Sequence, residues 1–363
     1  MSAALFAGCG GNDSGDGGNS GNTGNTGNIG NGSGNESGGN DNVVNSVPLA
    51  ENNKIYVVGD STVCSFSDVM YLPRYGYGTQ LKEYLNVTSS QVVNLALSGR
   101  SSLDYLNRNE YNTLTNSISE GDYLIIGFGH NDEKSDDSSR YTNPTKAYDD
   151  TTTAGGPSFQ NNLYENYVKM AKDKGATPIL CTPIVRYDSS NSYTGSKVHN
   201  TANGDYSQAI RTLGAATSTT VIDLTELTKA VYKADNASAI YFHAHSTYDG
   251  EKPNETPKGI DETHINQYGA KMVAYQFANA LKSTDCPLKN HVKDNISAPT
   301  KDVDYAAAVA DANFTKKDYE PFDPSKASSR WTISQSGWYG TVMGEHGGNN
   351  IDSGFKVQES GGT

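Results

Sequence analysis

Basic charge is scarce in this 363-residue chain. There are 28 Lys and Arg against 41 Asp and Glu, a formal net charge of −13. A nucleic-acid binder needs a basic footprint for the phosphate backbone, so that class is set aside. Long apolar runs are also missing. Nowhere do eighteen apolar residues follow one another, so no membrane-spanning helix is expected. Cysteine is sparse: Cys9, Cys64, Cys181 and Cys286 are the whole set. None sits at metal-ligand spacing and there is no Cys-x-x-Cys. With Cys9 treated separately, three remain, so at least one keeps its thiol. Small buried thiols are the expectation, with a Cys64–Cys181 bridge left open. The two tryptophans, Trp331 and Trp338, both fall near the C-terminus.

What is abundant is unevenly spread. Residues 10–50 are almost entirely Gly, Asn, Ser, Asp and Thr, with near-repeats such as Gly21-Asn22-Thr23-Gly24-Asn25-Thr26. Such a segment has too little apolar surface to bury and reads as a flexible tether. Before it, residues 1–9 resemble the tail of a bacterial lipoprotein signal, with Ala7-Gly8 preceding Cys9 as the expected lipidation site. A lipid-anchored cysteine followed by a leash predicts an extracellular, cell-surface protein. Residues 286–329 are polar and mixed, and are expected to be a linker or wrapping segment. Residues 330–363 are strand-like and are expected to be the start of a β-domain or a β-appendage.

The region 51–285 alternates two kinds of segment. Strand candidates are 55–58, 91–96, 123–128, 177–182 and 220–224, short runs rich in β-branched and aromatic residues. Helical patterns cover 77–84, 161–174, 206–213 and 266–282. In the last, Val273, Phe277 and Leu281 recur every fourth residue. Strands separated by helices predict a parallel sheet covered on both faces. The expected fold is α/β: a three-layer α/β/α sandwich with a five-stranded parallel sheet, plus a short C-terminal β segment.

The chemistry gathers at strand ends. Ile55-Tyr56-Val57-Val58 reads as a buried strand that Gly59 breaks, leaving Asp60-Ser61 at its carboxyl end. Ligands of open α/β sheets bind outside those ends, so Ser61 stands where a reacting side chain belongs. Leu97-Ser98-Gly99-Arg100 follows the second strand, and Gly99 can present an unobstructed N–H. Gly127-Phe128-Gly129-His130-Asn131-Asp132 follows the third, and the Asn131 amide can donate to a developing oxyanion. Asp261-Glu262-Thr263-His264 precedes the last helix. A serine hydroxyl is a weak nucleophile that needs a base, usually His, oriented by a carboxylate. His264 and Asp261 fit those roles if both lie in one loop turned toward Ser61.

Gly59-Asp60-Ser61, Gly99, Gly129-x-Asn131 and Asp261-x-x-His264, in this order, resemble the four blocks of the SGNH (GDSL) hydrolases. Val58–Thr62, Val93–Ser102, Phe128–Lys134, Ser139–Thr142, Thr182–Arg186 and Asp261–Ala270 resemble one branch, the rhamnogalacturonan acetylesterases among the carbohydrate esterases. The resemblance spans roughly residues 53–284. It implies a flavodoxin-like fold and a serine esterase with Ser61, Asp261 and His264 as catalytic residues. Ser61 and Gly99 backbone N–H groups and the Asn131 amide would form the oxyanion hole. The implied substrate is an acetylated polysaccharide, most directly rhamnogalacturonan, with acetylxylan or another glycan as alternative. Arg100, His130 and Arg186 are candidate substrate contacts, with Arg140 a further basic residue near the rim. No metal or cofactor is called for, and a monomer is the expectation. A catalytically dead, surface-tethered glycan-binding protein is the rival reading from another class.

Overall fold

The computed structural model describes residues 46–66, 74–245 and 260–300, together with the strands Trp331–Ser334 and Lys356–Glu359. The expected lipidation site Cys9, tether residues 10–45, residues 301–330 and Trp338 lie outside the described residues.

Five strands form one all-parallel sheet. They are β1 (Ile55–Gly59), β2 (Val92–Asn94), β3 (Tyr123–Gly127), β4 (Thr177–Cys181) and, after a two-residue ribbon of β5 (Asn200–Thr201) and β6 (Gly204–Asp205), β7 (Thr220–Ile222). Their order across the sheet is β2-β1-β3-β4-β7. Counting only the five, this is the flavodoxin-like 2-1-3-4-5 order, whose switch point lies between β1 and β3. All five residues of β1 and all five of β3 are buried. Both faces are covered, which is why these strands read as continuous apolar runs rather than alternating ones.

Side-chain alternation sends each strand into two cores. Ile55, Val57, Ile125, Ile179 and Cys181 join one cluster with α1 (Leu81–Tyr84) and the terminal helix. Tyr56, Val58, Leu124, Ile126 and Leu180 join the other. That second layer is built by α2 (Asn109–Ser117), α3 (Phe159–Leu163) and α4 (Met170–Asp173), joined by a π-helical stretch Tyr164–Lys169, and α5 (Tyr206–Thr217). The first layer also takes Leu224 of α6 (Leu224–Ala234), which leads to the short α7 (Asn236–Ala239).

The terminal helix α8 (Gln267–Leu281) starts at Asn266, whose side chain accepts the Gly269 N–H at 2.9 Å. Such a cap satisfies one of the orphan donors of the first turn. Val273, Ala274, Phe277, Ala278 and Leu281 bury its inner face. Before it, β8 (His243–His245) and β9 (Ile260–Ile265) pair antiparallel. Cys64, Cys181 and Cys286 are free, buried thiols.

The folded region reaches past 51–285 on both sides. Leu49 is in the first core, although it falls in the stretch expected to be tether. Leu288 and Val292 enter the same core, and Val47 N–H donates to Asn290 O at 2.9 Å. The apolar Leu49, Leu288 and Val292 explain this: each has a place to be buried that the polar text around them conceals. Farther on, Trp331–Ser334 and Lys356–Glu359 pair antiparallel as β10 and β11.

Candidate active site

The nucleophile turn is set by close packing at the ends of β1 and β3. Gly59 and Gly127 are paired neighbours, and a Cβ on Gly59 would lie 2.4 Å from Gly127 O. A Cβ on Gly127 would lie 2.5 Å from the Tyr77 hydroxyl. Glycine at both positions lets the chain leave the sheet tightly there. The Asp60 carbonyl then accepts the N–H groups of Val63 (3.1 Å) and Cys64 (3.0 Å). Asp60 Oδ1 accepts from the Thr62 N–H (2.9 Å) and Thr62 Oγ1 (2.8 Å). Burial pushes this carboxyl above its ordinary range. Ser61 emerges at 6% exposure.

Three groups line up at its hydroxyl. Ser61 Oγ is 2.9 Å from His264 Nε2, and His264 Nδ1 is 2.7 Å from Asp261 Oδ2. The carboxylate can only accept, so Nδ1 carries the hydrogen and Nε2 offers its lone pair to Ser61. Asp261 Oδ1 accepts the N–H groups of Thr263 and His264, both at 3.0 Å. Arg74 Nη2 donates to Asp261 Oδ2 at 2.9 Å. Burial by itself would raise the Asp261 carboxyl. The hydrogen bond and charge of His264, with the Arg74 cation behind, outweigh it and hold the group well below the usual carboxylate range.

Asp261 and His264 are not in a loop before the last helix, as expected from sequence. They belong to β9, which pairs with β8 through His243↔Ile265 and His245↔Ile260. Only Ala244 lies between those pairs on one strand, while Asp261, Glu262, Thr263 and His264 lie between them on the other. The surplus arches out as a bulge, which is how a strand re-aims side chains at a site. Arg74 was not singled out from sequence. It lies 187 positions from Asp261, and no local pattern connects them.

The loops after β2 and β3 are tied together at Asp132. This buried carboxylate accepts the Ser102 N–H at 3.1 Å, Ser102 Oγ at 2.5 Å and Thr142 Oγ1 at 3.0 Å. Asn162 Nδ2 donates to Ser102 Oγ, and Tyr167 Oη donates to Ser102 O. Gly99, in the first of these loops, has φ 75°, a left-handed conformation that favours glycine. Asn131, in the second, is 5% exposed and donates from Nδ2 to Arg100 O at 3.1 Å. Its amide keeps a second hydrogen for another acceptor.

The candidate substrate contacts are placed less openly than expected. Arg100 is buried and donates to Asp104 Oδ2 at 2.8 Å, in a carboxylate that Arg108 also contacts. It lies four residues ahead of Asp104, in the loop that leads into the 3₁₀ turn Asp104–Asn107. Arg186 is paired with Glu133 and donates to Ser196 O at 2.7 Å. Arg140 pairs with Asp137. His130 is 4% exposed, and its ring meets His199 edge-on at 4.3 Å between centroids. Neither of its ring nitrogens has a hydrogen-bond partner among the described residues. Burial, then the charges of His199 and Arg186, push its pKa well below the ordinary histidine value.

Residues 55–277 match the family model described as GDSL-like lipase/acylhydrolase. The chain belongs to this family. A GDSL-like acylhydrolase is a carboxylic ester hydrolase, and its curated relatives carry esterase names. One is the probable rhamnogalacturonan acetylesterase YesY of Bacillus subtilis (strain 168), 28% identical over 243 residues, which are 66% of this chain and 97% of the relative. Another is the rhamnogalacturonan acetylesterase RhgT of the same organism, 29% identical over 245 residues, 66% of this chain and 94% of the relative. A fungal rhamnogalacturonan acetylesterase of Emericella nidulans is 26% identical, covering 65% of this chain and 87% of its own length. For this GDSL-like acylhydrolase, the matched segment begins at β1 and ends within α8, so it contains Ser61, Gly99, Asn131, Asp261 and His264.

Proposed function

We propose that this protein is a serine esterase that removes O-acetyl groups from a plant cell-wall polysaccharide, most directly rhamnogalacturonan. The observation that carries the mechanism is the continuous run of hydrogen bonds from Ser61 through His264 to Asp261, at 2.9 and 2.7 Å. In the first half-reaction, Ser61 Oγ attacks the acetyl carbonyl while His264 Nε2 takes its proton. Asp261 holds the imidazole in the right tautomer and stabilises the imidazolium. The Ser61 and Gly99 N–H groups and the Asn131 amide receive the oxyanion. The intermediate collapses, His264 returns the proton to the departing sugar oxygen, and an acetyl-serine remains. In the second, His264 activates a water that releases acetate and restores Ser61.

The substrate part of the proposal rests on the three relatives, whose names agree and which align over most of their length. The N-terminal part rests on sequence alone: Cys9 is lipidated and residues 10–45 tether the catalytic domain outside the cell. Mass measurement of the native N-terminus tests that. The substrate is tested by acetate release from acetylated rhamnogalacturonan, acetylated homogalacturonan, acetylxylan and p-nitrophenyl acetate. Release chiefly from rhamnogalacturonan is expected. Release from acetylxylan and the small ester alone would keep the mechanism and discard the pectic substrate. No release from any would favour the glycan-binding reading.

A further inference from the structure

The bulge that carries Asp261 and His264 has few ladder bonds of its own. With four residues facing one, the strand pairing fixes its two ends and not its middle. Something else must set where the Asp261 main chain sits. That position matters, because a misplacement of about 1 Å at a reacting group is worth roughly a hundredfold in rate.

One buried side chain supplies the constraint. His243, fully buried on β8, places Nδ1 2.9 Å from the Asp261 carbonyl oxygen. A carbonyl only accepts, so Nδ1 carries the hydrogen. The other nitrogen, Nε2, is therefore an acceptor, and it lies 3.0 Å from the hydroxyl of Tyr232 on α6. Tyr232 is 2% exposed and stacks against Phe242 at 5.5 Å, so its hydroxyl is fixed. Tyr187 also packs against the imidazole, at 5.7 Å between centroids, and its own N–H donates to Glu262 O at 2.8 Å, the next residue of the bulge. Burial brings the His243 pKa down to about 4, so the neutral form with a single hydrogen is the one present near neutral pH.

We infer that His243 is a positioning residue: the Tyr232 hydroxyl holds its ring through Nε2, and its Nδ1–H pins the Asp261 carbonyl so that the carboxylate and His264 meet Ser61 in register. The inference rests on the proposed roles of Ser61, Asp261 and His264. It adds two groups behind the acid–base line, acting through the Asp261 main chain, that touch neither substrate nor the reacting atoms.

The test uses the full chain, with kcat and KM measured on p-nitrophenyl acetate for His243→Asn, His243→Gln, His243→Leu, Tyr232→Phe and Ser61→Ala. An Asn amide nitrogen occupies the place of Nδ1 and keeps the donor to Asp261. A Gln amide reaches instead toward the place of Nε2. His243→Asn should stay within about threefold of wild-type kcat, while His243→Gln and His243→Leu fall roughly 10²-fold with KM within twofold. Equal kcat for Asn and Gln would overturn the inference, because a merely packing role does not distinguish the two amides. Should the Leu variant fail to fold, the Asn–Gln comparison decides alone. Should neither amide fold, Tyr232→Phe decides: a several-fold lower kcat at unchanged KM supports the clamp, and a wild-type kcat overturns it. A fully active Ser61→Ala would instead refute the proposed mechanism itself, so the two failures are separable.

Discussion

Replacing Asp261 by Asn should nearly abolish turnover while leaving substrate binding intact. The reason is the number of donors that surround this carboxylate. Oδ1 receives the N–H groups of Thr263 and His264, and Oδ2 receives His264 Nδ1–H and Arg74 Nη2. An amide has one accepting end. Turned one way, its NH₂ opposes the two backbone N–H groups of Thr263 and His264. Turned the other way, it opposes Arg74, and it satisfies His264 only if the imidazole moves its hydrogen to Nε2. That tautomer presents a donor to Ser61 and is no longer a base. In serine hydrolase triads the same exchange lowers kcat by about 10⁴. A fall of that order is expected for Asp261→Asn, with KM within twofold, in stopped-flow release of p-nitrophenol and in acetate release from polymer. Asp261→Ala removes the carboxylate without imposing the wrong tautomer, and should be no worse. A kcat for Asp261→Asn within tenfold of wild type would refute the reasoning, since Asp261 would then not be what keeps His264 in the tautomer that takes the Ser61 proton.

Three further outcomes follow from the same geometry. Asn131→Ala removes the side-chain donor of the proposed oxyanion hole and should cost about 10²–10³ in kcat at little change in KM, measured on the small ester. A loss under threefold would remove Asn131 from the oxyanion hole. Asp132 is pushed up to about 7 by burial, against the opposing hydrogen bonds of Ser102 and Thr142. A carboxyl whose folded pKa is raised contributes stability below its unfolded value of about 4 and loses it as pH rises to about 7. Wild-type Tm should therefore fall more between about pH 5 and about pH 8 than that of Asp132→Asn, and parallel curves in calorimetry would contradict it. Phe277→Ala empties a fully buried site in α8 and should cost about 3–5 kcal/mol in urea unfolding, a loss below about 1 kcal/mol arguing against close packing there.

Much of the frame was legible in the sequence because the sheet is buried on both sides. Ile55–Gly59 and Tyr123–Gly127 have no polar side to blur the apolar run. The last helix was legible for the complementary reason: Asn266 caps it and Val273, Phe277 and Leu281 mark its inner face. The expected strand 220–224 ends at Ile222, because Asp223 turns to cap α6 by accepting the Glu226 N–H. The expected helix 77–84 is a 3₁₀ turn, Tyr77–Thr79, and the four-residue α1. There Gly76 is pressed against the nucleophile turn, with a Cβ only 2.2 Å from Val63 C. Helix α2 gives almost no periodic signal, since Leu114 is its one buried residue. At the site, Ser61, Gly99, Asn131, Asp261 and His264 were visible as short motifs. Arg74, Tyr232 and His243 were not, because their contacts with Asp261 and with each other exist only after β8, β9 and α6 have packed.

The most direct measurement is to find which residue becomes acylated. Brief reaction with p-nitrophenyl acetate, acid quenching and peptide mass mapping would locate the acetyl group. The account predicts acetylation of Ser61, accumulating in a burst and absent in Ser61→Ala. Turnover with no acyl-enzyme, or a label that persists on another residue in Ser61→Ala with activity retained, would contradict it.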